Sequence, residues 1–420
     1  MELFAELGAL IENRWRDQNY REELFPGIAS QVLSEFNLPD RTDAWQIIRW
    51  LHAAVSLPEQ IDREAHFGNP PITLFVAPRF YIDIYFWLDG TTSIHQHSFS
   101  GAFQVLLGGS VHAHYDFEKL QEINPHFLIG GISLKKVSLL KKGDIREIFA
   151  GPKFIHSLFH LERPSATITI RTYKAPSNAV QYSYLKPFIA RNPFFKDPLL
   201  QRKVQTVDLL LRMKHSNADG FISDIIKSSD FQTAYEVLDR AFDFLCHRDL
   251  EELVGVTRSR DRFEALLNYA REKHGELADF LLPVFEEEWR QSDIARRRAE
   301  IKSEDHRFFL ALLMNVPDRE NLLRLMGERF PDQDAAGLIV GWVKELTATS
   351  VFGSREPNVL GIGEFDESHL FVFERLLRGL ITEEIEGEAS AKGLDAPIPD
   401  LSAHLQALPI FQSLFSVGSL

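Results

Sequence analysis

Cysteine is almost missing from this chain: Cys246 is the single one among 420 residues. No intrachain disulfide can form, and no thiolate cluster can hold a metal, so the expected compartment is the cytoplasm. Excess positive charge is also missing. Lys and Arg number 46 against 60 Asp and Glu, a formal net charge of −14. A general nucleic-acid binder would need a basic face, and docking on an anionic membrane would need the same, so neither partner is expected. No apolar run reaches the roughly 18 residues of a spanning helix. The start, "MELFAELGALIENRWRDQNYREELF", mixes acids among its apolar residues and lacks the basic-then-apolar run of a secretory signal. Phosphate-loop, G-x-S-x-G and H-E-x-x-H motifs are absent too.

What is present falls into three blocks. Residues 1–68 carry apolar residues at helical spacing in "LFAELGALIENRW" and "DAWQIIRWLHAAVSL", with Asp40 and Asp43 as candidate N-caps. Residues 69–185 change character. "ITLFVA", "FYIDIYFWL", "AFQVLLGG", "SVHAHYDF", "KKVSLL", "IREIFA" and "ATITIRTY" are short, β-branched or aromatic, and separated by Gly, Pro, Asp or Asn. Such spacing predicts a sandwich or small barrel. Residues 186–420 return to amphipathic helical patterns with short polar joints and no fixed repeat period. The irregular stretch "TSVFGSREPNVLGIGEFDES" reads as a loop between late helices. The expected fold is therefore α+β, a β barrel between N-terminal helices and an all-α C-terminal domain.

Histidines are the candidate chemistry. His95 and His97 have the same parity, so on a strand both point to one face and could bind one metal. With 15 histidines in the chain, an H-x-H pair can also arise by chance. A second pair, His112 and His114, follows the Gly108–Gly109 turn. Alternation there places Val111, Ala113 and Tyr115 inward, and the two histidines outward with Asp116. Downstream, a Gly-Pro turn at "AGPKFIH" puts His156 at the head of a strand, a suitable place for a third ligand. A face of three imidazoles suits a divalent ion such as iron or zinc and leaves positions open for water, oxygen or substrate.

These residues resemble the cupin superfamily. Its first motif, G-x5-H-x-H-x3/4-E-x6-G, appears as Gly90, His95, His97 and Gly108, one residue short between Gly90 and His95. Its second, G-x5-P-x-G-x2-H-x3-N, appears from Gly143 through "AGPKFIH" to His156, with His160 at the Asn position. The motif glutamate is missing, since Gly101 or Ala102 stands there, so a three-histidine site is favoured over a four-ligand one. The resemblance implies a double-stranded β-helix barrel. Within cupins, His95, His97, Ala102 and Gly108 are most similar to the thiol dioxygenases, typified by cysteine dioxygenase. That family's Ser-x-His-x-Tyr relay falls on Thr169, Arg171 and Tyr173, with arginine replacing the histidine. Ala102 excludes the Cys–Tyr crosslink of the animal enzymes. The resemblance covers roughly residues 70–177.

It implies metal ligands His95, His97 and His156, with Fe(II) expected and Zn, Mn or Ni as alternatives. Three neutral imidazoles leave the ion its full charge, which favours anionic ligands. Arg171 and Tyr173 are then candidate catalytic residues. Arg79, in a region where the thiol dioxygenases hold the substrate carboxylate, and Gln104, by parity, are candidate substrate contacts. His160 is expected in the core or behind the ligands. The readings that follow are an Fe(II) oxygenase using O2 on a small anionic substrate, thiols among the candidates; a non-catalytic ligand sensor with the helices as output; and a Zn or Mn isomerase or hydrolase. A homodimer is compatible with each.

Overall fold

The computed structural model describes residues 2–61, 68–88, 92–173, 180–247, 259–349 and 357–415. Gly90, and 350–356 of the expected late loop, lie outside them.

Helix α1 (Glu2–Asp17) buries Phe4, Leu7, Ile11 and Trp15, one stripe at helical spacing. Helix α2 (Phe25–Phe36) does the same with Phe25, Ala29, Val32, Leu33 and Phe36, and Asn37 ends it in the left-handed conformation. Two shorter helices follow, α3 (Leu38–Arg41) and α4 (Ala44–Ala53). Asp43 caps α4 by accepting from the Gln46 amide. Asp40 instead lies within α3.

Eleven strands follow among the described residues. They are β1 (Pro71–Val76), β2 (Phe80–Trp87), β3 (Ile94–His95), β4 (Gly101–Leu107), β5 (Ser110–Asn124) and β6 (Phe127–Leu140). The rest are β7 (Ile145–Ile148), β8 (Ile155–His160), β9 (Ser165–Thr172), β10 (Ser183–Leu185) and β11 (Ile189–Arg191). One sheet runs β1-β2-β9-β4-β7. The other runs β10-β11-β6-β5-β8-β3 and closes on itself through the β3–β10 pairing. Together they make the double-stranded β-helix barrel of an α+β protein. The barrel sheet continues past residue 185, because β11 pairs with β6 through Ile189–Ile129.

Both sheets are covered on both faces. Ile82, Ile84, Ile168 and Ile170 of the first sheet pack under the N-terminal helices. Between the sheets lie Phe99, Phe103, Val105, Leu140, Phe154 and Leu158. The far face of the second sheet, including Val111, Ala113, Tyr115 and Ile155, packs against the C-terminal helices. Those helices open on Asp or Ser caps, among them Asp197, Asp230, Ser303 and Asp318. Arg298 and Arg324 anchor them to the barrel by donating to the carbonyls of Leu161 (3.3 Å) and Val137 (2.8 Å).

Gly101 is required by close backbone approach. A Cβ built there would lie 1.9 Å from the Ile170 carbonyl oxygen on β9. Backbone cannot yield as a side-chain tip can, so Gly101→Ala should destabilise the barrel by at least the 1–3 kcal/mol typical of overpacking. Denaturant titration checks this, and an unchanged midpoint would contradict it.

Candidate metal centre

Three short-range constraints bring His95, His97 and His156 together. His95 on β3 pairs directly with His156 on β8, so their side chains leave the sheet side by side. His97 lies two residues beyond His95 on the same face. Its carbonyl accepts from the Gly151 amide (2.8 Å) in the turn that delivers β8. Gln96, between them, points the other way, and its Oε1 accepts from the Tyr184 hydroxyl (2.6 Å). One ring nitrogen from each of the three histidines lies within 4.8 Å of the others.

Hydrogen bonds decide which nitrogens converge. The Nδ1 of His95 is 2.7 Å from the Ser93 carbonyl, which can only accept, so this ring carries its proton on Nδ1 and presents Nε2. The Nε2 atoms of His97 and His156 are 2.8 Å apart. That is close to the separation of neighbours in one coordination shell with bonds of about 2.0–2.1 Å. All three rings are buried, and burial holds each imidazole below its ordinary pKa, His97 and His156 well below it. The rings are therefore neutral at pH 7, the form that ligates a metal. Buried, neutral and convergent nitrogens without a carboxylate are a donor set that fits a divalent transition metal.

The missing glutamate has a structural reason. Position 101 has the inward parity of Phe103, but the Ile170 carbonyl occupies the space a side chain would need. Ala102 faces the N-terminal helices with Leu106. Neither position could extend a carboxylate to the histidines.

The second H-x-H pair corrects the sequence reading. His112 is fully buried between the sheets rather than facing solvent, and its Nε2 lies 3.0 Å from Nδ1 of His156. His114 is half-buried beside it, with ring centroids 4.3 Å apart. Alternation identified two faces of β5 correctly but assigned them wrongly. The apolar face meets the C-terminal helices, and the histidine face lines the barrel.

Arg171 points inward from β9. Its guanidinium carbon lies 3.5 Å from the centroid of the Phe99 ring, and that ring is 4.4 Å from His97. Arg171 Nη1 donates to the Tyr85 hydroxyl (3.4 Å), which donates to Asp83 Oδ2 (3.0 Å). Burial keeps the Tyr85 hydroxyl protonated, its pKa raised far above the ordinary value. Asp83 thus supplies an anion near this half-buried arginine.

Three other candidates stand away from the histidines. Arg79 is exposed in the turn after β1 and lies over Tyr20 (4.4 Å to the ring centroid). Gln104 shares parity with Ala102 and Leu106, and its amide donates to the Gly143 carbonyl (3.1 Å), so it lies on the outer side of β4. Tyr173 sits just past the end of β9, 38% exposed, and its hydroxyl donates to the Ala77 carbonyl (2.9 Å). It is a rim residue whose ring packs on Tyr81.

His160 lies four residues beyond His156, roughly 13 Å along a strand. It stacks on Trp87 (4.4 Å, 12°) and hydrogen-bonds Ser165 (2.7 Å). Burial lowers its pKa to about 3. The folded state therefore refuses a proton that the unfolded chain takes up near pH 6.5. Stability should be level above pH 6.5 and fall by about 1.4 kcal/mol per pH unit for this group below it, down to about pH 3. His160→Phe should remove one proton's worth of that slope in denaturant titrations between pH 7 and 5. An unaltered slope would contradict the assignment.

No family model matches the chain, and no curated protein matches it. Among solved structures, it is similar to a Klebsiella pneumoniae protein described as having a double-stranded beta-helix domain. The identity is 18% over 30% of this chain and 90% of that one, with a TM-score of 0.19. It is similar to a cupin 2 domain-containing protein from Halorhodospira halophila at 18% identity, over 27% of this chain and 66% of that one, TM-score 0.17. It is similar to an oxalate oxidase at 15% identity, over 36% of this chain and 73% of that one, TM-score 0.21. At these TM-scores the likenesses carry no argument. No helix among the described residues is long and apolar enough to cross a membrane.

Proposed function

We propose that this chain is a metal-dependent cupin, a mononuclear non-haem Fe(II) oxygenase acting on a small anionic substrate, with small thiols as the first candidates. The observation that carries the reading is the convergence of His95, His97 and His156 as buried, neutral imidazoles with no carboxylate among them. A ferrous ion there would supply the site for O2 and for an anionic donor atom of the substrate. The protein's own contribution is an apolar wall of Phe99, Phe103 and Phe154 around the histidines and a cation, Arg171, against Phe99. Arg171 is the substrate-orienting candidate, and Tyr173 shapes the rim. Metal analysis of protein purified without added metal, followed by oxygen uptake over small thiols, tests the reading. Stoichiometric iron with substrate-dependent uptake supports it. Zinc or manganese with no uptake would point to an isomerase or hydrolase using the same ligands.

A second reading, a ligand sensor that signals through its helices, is supported by a different observation. A cavity of about 450 Å³ lies on the far face of the second sheet, lined by Trp87, Tyr115, Tyr184 and Lys186 together with Glu288 and Asn315 of the C-terminal helices. Its size is that of small-molecule sites. Burial, with Asp239 nearby, raises the Glu288 carboxyl to about 7. Iron-dependent turnover that survives Glu288→Gln would favour the oxygenase over the sensor.

A further inference from the structure

We propose that His112 is a positioning residue for the metal centre: it fixes the tautomer and orientation of His156 and thereby sets the affinity for the ion. The inference rests on the three-histidine reading and extends it to a fourth side chain.

The two rings make an N···N contact of 3.0 Å between Nε2 of His112 and Nδ1 of His156. Such a contact needs one proton between two ring nitrogens. His156 turns its other nitrogen, Nε2, toward His97. When that nitrogen ligates a cation it has no proton, so the proton of His156 must sit on Nδ1 and be donated to His112. His112 Nε2 then accepts, and its own proton sits on Nδ1. In the absence of an ion the opposite arrangement is equally open: His112 donates from Nε2, and His156 carries its proton on Nε2, where it blocks ligation. The pair therefore has two protonation patterns, and only one binds metal.

The environment holds the rings in place. His112 is fully buried, with Phe103 edge-on at 5.8 Å and His114 at 4.3 Å between centroids. Water has no access to replace the lost acceptor. His112 Nδ1 is buried with no hydrogen-bond partner among the described residues. The fold tolerates that orphan while keeping Nε2 against His156, which a purely apolar filler would not require. His95 has the equivalent support from the Ser93 carbonyl, whereas Nδ1 of His97 has no partner. An ion there would be held by two supported ligands and one unsupported one.

The test is Co(II) binding by the full chain, read by chelator competition and by the visible spectrum of the bound ion. His112→Leu keeps the volume and removes the acceptor; His112→Gln keeps an acceptor oxygen. The Leu variant should bind Co(II) about 10- to 100-fold more weakly, with an altered spectrum, and the Gln variant should recover most of both. Should the Leu variant fail to fold, zinc-loaded wild type provides a second readout: a scalar coupling across the hydrogen bond between His156 Nδ1 and His112 Nε2 in nitrogen NMR. Wild-type affinity and spectrum in the Leu variant, or no such coupling, overturns the role of His112. Wild type that binds no Co(II) overturns the three-histidine reading itself, and this role with it.

Discussion

His97→Ala protein should fold and contain no stoichiometric metal. His97 Nε2 lies 2.8 Å from its neighbour's and contributes one of only three donors among the described residues. Removing a partner behind a ligand costs about 10- to 100-fold in affinity. Removing a ligand from a set of three should cost more than that, enough to lose the ion during purification. The fold should survive because His97 is outside the long strand pairings; among the described residues its ladder contact is an isolated bridge to Ala150. The measurement is metal content per chain in wild type and variant, beside circular dichroism and a denaturation midpoint. Equal metal in both proteins would remove His97 from the ligand set.

Arg171→Met should weaken binding of anionic substrates by roughly 10- to 150-fold, the equivalent of about 1.5–3 kcal/mol for a hydrogen bond to a charged group at a half-buried position. The guanidinium is held against Phe99 and Tyr85, so its direction is set before any ligand arrives. Methionine keeps the stack on Phe99 and removes the charge. The effect should therefore appear in KM for carboxylate- or thiolate-bearing substrates and be small for a neutral analogue. Arg171→Lys should recover part of the charge but not the planar stack. An equal loss for charged and neutral analogues would mean that Arg171 is only a pillar for Asp83 and Tyr85.

The contrast between Arg171 and Arg79 shows how much of this site the residues disclose before folding. Strand parity puts Arg171 and Tyr173 on one face without naming that face as inner or outer; Arg171 points inward, because Ile168 and Ile170 meet the N-terminal helices, whereas Tyr173 lies past the end of β9. The same logic applied to Arg79 had no strand to work on, since the residue sits in the turn between β1 and β2. His95, His97 and His156 could be grouped from spacing because turn chemistry, two residues of separation and a β-branched neighbourhood are all local signals. The direction of β5 and Gln104 could not. Parity divides a strand into two faces, but it names the inner one only when the other is polar, and here helices cover the outer face of each sheet. His112 was misplaced for that reason. Strands β10 and β11 escaped notice because three residues are too few to show a period. The isolated position of Tyr173, tied to the Ala77 carbonyl, is a tertiary fact with no local signature.

The most direct measurement is X-ray absorption at the edge of the metal bound to wild-type protein. Three buried imidazoles sharing one ion predict about three nitrogen scatterers at roughly 2.0–2.2 Å with the outer-shell pattern of imidazole rings. A shell dominated by carboxylate oxygens, or the same imidazole pattern in a chain lacking residues His95, His97 and His156 together, would contradict it.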